Sequence, residues 1–286
     1  MSNASWKTRS IFRAIVSKRD GGRGSSRSPS IQIESSLYER SKSELARYLR
    51  LDPFLEAADA ERAFKVFQKL DACGLGYAAT GGMALEPALG SEFGRLRAFN
   101  DIDVVVPGFD TLPPALASAF MISHAHPHRP PGKLAIQLVE PEQRVRIDVF
   151  SACGNTLERT RPALIGDLPI KMVAVEDLAC RIASEMMCFC RGDSVAPKYV
   201  DDHARAREVV DMNLVEKAWQ DQRREIDPLT YAEAAVQIVE ALNRNRGNLV
   251  KPVYSTNTDA VCGHCYNTAY FTVESPKIIL PILGYC

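Results

Sequence analysis

Apolar positions recur along this chain at two periods, and the switches between them mark its elements. Over residues 54–73 the spacing is helical, with Phe54, Leu55, Ala58, Phe64, Val66, Phe67 and Leu70 on one side. Residues 37–74 as a whole read as helix, broken at Leu51-Asp52-Pro53 and ended by Gly74 and Gly76. A short strand over 77–80 follows, then a turn at Gly81 and Gly82 and a helix over 83–89. Residues 100–107 predict a strand and 115–121 a helix. Residues 134–139 and 145–150 predict a hairpin turning through Glu140, Pro141, Glu142 and Gln143. A strand over 170–175 leads into a helix over 178–190 that is apolar on most sides, so it is expected to be buried, with Cys188 and Cys190 in the core. A helix opening near Pro197 runs to 210, and two amphipathic helices, broken at Asp227-Pro228, fill 214–245.

Two of the predicted strands carry acids. Side chains two apart on a strand share a face, so Asp101 and Asp103 point the same way while Ile102, Val104 and Val106 point into the core. Adjacent carboxylates repel, and oxygen ligands of this kind take a divalent cation, most often Mg²⁺. If the strand Arg144–Phe150 pairs beside the first, Asp148 adds a third carboxylate. The glycines allow positive φ and close approach of a ligand, and the free N–H groups of the helix that follows suit a phosphate. A tight turn is the alternative for the glycines alone.

This order of features resembles the nucleotidyltransferase superfamily that includes DNA polymerase beta. The shared pattern is a Gly-Gly or Gly-Ser turn opening a helix, Asp-x-Asp on a strand, and a third acid on a later strand. Within it, the chain is most similar to small prokaryote-type members, including the nucleotidyltransferase toxins of abortive-infection systems. Arg97, four residues before Asp101, fits that subgroup; Phe99, where Ser or Thr is usual, and the long gap from Gly82 to Asp101 depart from it. The resemblance covers roughly residues 54–210. It implies an α/β (α+β) fold with a mixed sheet flanked by helices, a helical module, and a small Cys-containing β tail. The expected divisions are a disordered basic arm (1–36), a catalytic domain (37–175), the helical module (176–248) and the tail (249–286). It further implies Asp101, Asp103 and Asp148 as catalytic residues holding two Mg²⁺ ions, and Gly81, Gly82, Arg97, Lys198 and Asp202 as nucleotide-binding residues. Lys198 and Asp202 match loosely, an exposed first helical turn being the alternative. The implied reaction moves a nucleoside monophosphate from an NTP to an acceptor hydroxyl on RNA, protein or a small molecule. Two alternatives stay open: an inactive binding or antitoxin-like module of the same fold, and a nucleic-acid-binding protein using the arm and tail.

Composition adds three things. The formal net charge is zero, so no overall field recruits nucleic acid, yet residues 1–30 carry Lys7, Arg9, Arg13, Lys18, Arg19, Arg23 and Arg27 against Asp20 alone. That Arg-, Ser- and Gly-rich arm reads as a solvated tail, a mitochondrial transit peptide or an RNA contact. No apolar run approaches the roughly 18 residues of a bilayer span, so no membrane partner is expected and an intracellular, most simply cytoplasmic, location is. Eight cysteines without a framework spacing suit reduced thiols. Near the end, Cys262-Gly263-His264-Cys265 resembles a zinc knuckle, with Cys286 as a third candidate ligand and His264, another histidine or Cys153 as the fourth; free or disulfide cysteines are the alternative. His124, His126 and His128 fall in a Pro-rich loop, either a plain loop or a transition-metal site, where Arg129 or Lys133 could meet phosphate. Arg95 has two readings as well, a nucleotide contact or a surface ion pair.

Overall fold

In a computed structural model, residues 48–96, 99, 101–125 and 131–250 are described. The 1–36 arm, Arg97, His126, His128, Arg129, Cys262, Cys265 and Cys286 lie outside them. Strand β1 (Leu49–Arg50) is followed by α1 (Ala57–Ala72), β2 (Ala78–Thr80), α2 (Gly81–Phe93), β3 (Asp101–Val106), α3 (Ala115–Ala119) and β4 (Met121–Ala125). Next come β5 (Leu134–Glu140), β6 (Val145–Ser151), β7 (Arg161–Ile165), β8 (Leu168–Met172) and α4 (Val175–Cys190). Last are β9 (Ser194–Val195), α5 (Lys198–Arg207), α6 (Met212–Gln222), α7 (Tyr231–Asn243) and β10 (Asn248–Leu249).

Eight strands form one mixed sheet in the order β1-β7-β8-β2-β3-β6-β5-β4. β3 and β6 run parallel at its centre, while β2–β3, β5–β6, β4–β5 and β7–β8 are antiparallel. The fold is therefore the mixed α/β arrangement expected of the chain. Alternation decides what the central strand buries: Ile102, Val104 and Val106 are fully inaccessible, while the acids share the other face. Helix α1 buries Ala63, Val66, Phe67 and Leu70, a single stripe at spacings of three and four. Helix α4 is buried on nearly every side because it packs against α2, α5, α6 and α7. It is the element through which the sheet and the C-terminal helices share one core.

Four local expectations are corrected. Leu49 and Arg50, expected in helix, form an edge strand paired in parallel with Ala163 and Leu164. The segment holding His124, expected as loop, is strand β4, whose backbone takes the open edge of β5 with His124 opposite Gln137. Of the β7–β8 hairpin only the second strand was expected, over 170–175, and it runs Leu168–Met172; the first was missed, and Pro162 and Pro169 interrupt the apolar pattern of the two. Their missing N–H groups cost little here: β1 pairs only with Ala163 and Leu164, and β2 meets β8 only at Met172. Cys188 and Cys190 are half-buried rather than core, and Cys180 is the fully buried thiol of α4.

Candidate active site

The site begins with register. Because β3 and β6 are parallel neighbours, Asp103 lies opposite Asp148 and Asp101 opposite Arg146. On the other side β2 pairs with β3 so that Thr80 lies opposite Asp103, which brings the first turn of α2 onto the same acid. Gly81 adopts φ +64°, and a Cβ there would collide with the Asp103 carboxylate. Only glycine fits, both for its backbone and for this approach. Asp101, Asp103 and Asp148, drawn from strands 45 residues apart in sequence, are thus set side by side beneath a helix N-terminus.

Three polar neighbours define the electrostatics. Gln137 on β5, buried, donates to Asp148 Oδ1 at 2.6 Å, which its register opposite Asp148 makes possible. Arg146, two residues before Asp148 on the same face, donates to Asp101 and places its Nε 3.4 Å from Asp148 Oδ1. Burial, then the charges of Asp101 and Asp148, push Asp103 up to about 8, with Lys198 and Arg146 acting in the opposite sense. Burial also raises Asp148, against the pull of Arg146 and Gln137. Burial works against the charge of Arg146, but Asp148 and Asp101 more than offset it and hold its pKa above the usual arginine range. The cluster is short of positive charge.

A cavity of about 150 Å³ opens beside Asp103, and Gly81, Gly82, Asp103, Lys198 and Asp202 all line it. Lys198 is the first residue of α5, and Asp202 lies one turn on. Asp202 is buried and accepts from Arg205 Nη2 at 2.7 Å. The same guanidinium makes a bidentate pair with buried Glu86 of α2, at 2.7 and 3.0 Å. Its remaining donors reach the Phe93 carbonyl at 3.0 Å and Asp201 at 3.0 Å. So α5 is bolted to the helix that starts at Gly81. Arg95 forms an exposed ion pair with Asp201 at 2.9 Å, the surface reading of that residue.

Of the residues expected at the site, Gly81, Gly82, Asp103, Lys198 and Asp202 line the cavity, while Asp101 and Asp148 neighbour Asp103 in the sheet without lining it; Arg97 and the three tail cysteines are outside the described part. Other wall residues were missed. Thr156, Asp177, Arg181 and Gln222 line the far side of the cavity. Buried Asp177 accepts from Arg159 at 2.6 and 2.7 Å and from Thr156 at 3.0 Å, and Gln222 donates to Thr156 at 3.0 Å. Arg181 stands over the Phe150 ring, 5.7 Å from its centroid, and donates to the Gly132 carbonyl. Asp177 and Arg181 lie one turn apart on α4, but Thr156 and Gln222 come from two other segments, so no sequence spacing could have joined all four. Gln137 and Arg146 were findable: one is the polar residue inside an apolar strand, the other shares Asp148's face by the two-residue rule.

The donor chemistry suits a hard divalent cation, since three carboxylates converge with too little positive charge. Their present spacing does not: among the described residues no group of three His, Cys, Asp or Glu side chains is gathered closely enough to hold a metal ion. Part of the space between Asp101 and Asp148 is taken by the Arg146 guanidinium.

No protein-family model matches the chain, and no curated protein matches it. Two of the similar solved structures are nucleotidyltransferases. The antibiotic-resistance factor ANT(2'')-Ia matches with TM-score 0.41 and 14% identity over 65% of this chain and 96% of that one. An antigenic nucleotidyltransferase-like protein from Paracoccidioides brasiliensis matches with TM-score 0.39 and 17% identity, over 68% and 96%. Superpositions this loose carry no weight for activity, which is read from the site's own residues.

Proposed function

We propose that this chain is a metal-dependent nucleotidyltransferase that moves a nucleoside monophosphate from an NTP to an acceptor hydroxyl. The observation that carries the reading is the placement of Asp103 between Asp148 on one neighbouring strand and Gly81, the first helical residue after the other. That puts an acid cluster directly beside a helix N-terminus, the pairing that phosphoryl transfer needs. The N–H groups at Gly81 and Gly82, at the positive end of α2, orient the phosphates. Lys198, from the opposite wall of the cavity, adds a point charge to them. Asp101, Asp103 and Asp148 would hold Mg²⁺, in the expected count of two, once Arg146 gives way. Bound there, the metal supplies charge neutralisation on the transferred phosphoryl group and its leaving oxygens.

The remaining steps belong to the protein. Asp148, held by Gln137, would accept the acceptor hydroxyl's proton. The acceptor oxygen then bonds to the α-phosphorus, the bond to the pyrophosphate oxygen breaks, and pyrophosphate leaves with that electron pair. RNA, protein and small-molecule hydroxyls are the acceptor classes in play.

The test is label transfer from each α-³²P NTP with Mg²⁺, with and without total RNA, beside Asp101→Asn and Asp148→Asn. Label that appears only with the unaltered protein supports the reading, and equal labelling by either variant overturns it. A second reading, a catalytically inactive nucleotide-binding module, is favoured by one observation: Arg146 spans two of the acids that would have to ligate metal. Nucleotide binding without divalent-cation binding would select it.

A further inference from the structure

We infer that Arg146 is a built-in counter-cation, which holds the acid cluster while no metal is bound and competes with a divalent cation for Asp101 and Asp148. This rests on the metal-dependent reading above. The inference starts from the strand periodicity. Arg146 and Asp148 share a face of β6, and parallel pairing sets Arg146 directly opposite Asp101. One side chain therefore reaches two of the three acids: its Nη2 donates to Asp101, and its Nε stands 3.4 Å from Asp148.

Arginine suits that role for physical reasons. A guanidinium stays charged at any working pH, so it neutralises the cluster without a proton being exchanged. Its side chain is long and here only about three-quarters covered, 28% exposed, so a path to solvent exists for withdrawal. Asp148 does not depend on it for orientation, because Gln137 binds the same carboxylate from β5 at 2.6 Å. Withdrawal thus leaves Asp148 in place and frees its charge.

The consequence is a reduced apparent metal affinity. Binding must displace an interaction already made, so the measured constant is the intrinsic one lowered by the fraction of molecules with the guanidinium withdrawn. Nucleotide, arriving with its own phosphate-bound cation, would overcome that reduction more readily than the free ion.

The test measures Mn²⁺ binding by the loss of the free-ion electron paramagnetic resonance signal, without nucleotide or turnover. Arg146→Met is compared with the unaltered protein, and Arg146→Lys serves as a second variant that keeps the charge but not the fork. Thermal unfolding in chelator accompanies each. Arg146→Met should bind Mn²⁺ about tenfold more tightly, the effect of removing one screened unit charge. It should unfold at a lower temperature in chelator and recover more on Mn²⁺ addition than the unaltered protein does. Arg146→Lys, with a single ammonium in place of the planar fork, should bind Mn²⁺ about threefold more tightly, and it carries the comparison if the methionine variant does not fold. Equal or weaker Mn²⁺ binding in the variants overturns the inference while leaving the metal-dependent reading standing. No Mn²⁺ binding by any of the three overturns that reading, and this inference with it.

Discussion

Arg205 is where function and stability meet, and its removal makes the sharpest prediction. All five of its N–H donors are used: two on Glu86, one each on Asp201, Asp202 and the Phe93 carbonyl. Its side chain is 8% exposed and that of Glu86 1%, so water cannot replace the lost partner. Arg205→Met removes the guanidinium that binds two buried carboxylates, Glu86 and Asp202. Removing one partner of a buried pair costs about 3–5 kcal/mol. Glu86→Gln keeps the shape and leaves Arg205 with Asp201 and Asp202, so it should cost about 1.5–3 kcal/mol, the worth of hydrogen bonds to a charged group. The double variant should cost less than the sum, because the second change removes a group already stranded. Urea unfolding of the four proteins, read by tryptophan fluorescence, gives the three differences. Nucleotide affinity is measured in parallel well below the unfolding midpoint. It should fall in both single variants, because Lys198 and Asp202 take their position from α5, which this network fastens to α2. An Arg205→Met protein within about 1 kcal/mol of the original would mean that water or relaxation satisfies Glu86, and would refute the reasoning.

Three further outcomes are expected. Gly81→Ala should abolish transfer and lower stability by about 1–3 kcal/mol, the scale of a strained left-handed residue, before the collision with Asp103 is added; a thermal midpoint and activity like the original would show that the strand–helix turn is not held so tightly. Asp103 keeps its proton in the native state up to about pH 8 but loses it near 3.8 when unfolded, so the native state binds more protons between those values. Its contribution must therefore make the metal-free protein less stable as pH rises from about 4 to 8, and Asp103→Asn should remove that slope in a series of chelator-treated melts. His203 acts in the opposite sense: burial, helped by Arg207, lowers it to about 4 from 6.5, so stability is lost as pH falls through that window, and His203→Leu should flatten the acid limb.

Much of the site was written in local sequence. Asp101-Ile102-Asp103 specifies its own two faces, because a strand alternates whatever lies beside it. Gly81 and Gly82 announce a turn, of which Gly81 is the residue only glycine can supply, and the apolar pattern around Asp148 announces a strand with one acid in it. Helices α6 and α7 and the break between them followed from period and proline alone. Other features could not be read this way, because they depend on which segments become neighbours. That Asp148 completes the cluster needed β6 to pair with β3 in parallel and in one particular register; a one-residue slip would have turned it to the other face. β1 and β4 are strands because open sheet edges accept them, not because their residues prefer it. Arg146 was visible as a residue, but its meeting with Asp101 is a cross-strand contact. The Glu86–Arg205 pair joins positions 119 apart in the chain. Local periodicity is a property of one segment's backbone geometry, whereas charge compensation is a property of whatever folding brings within a few ångströms, and only the tertiary structure decides that.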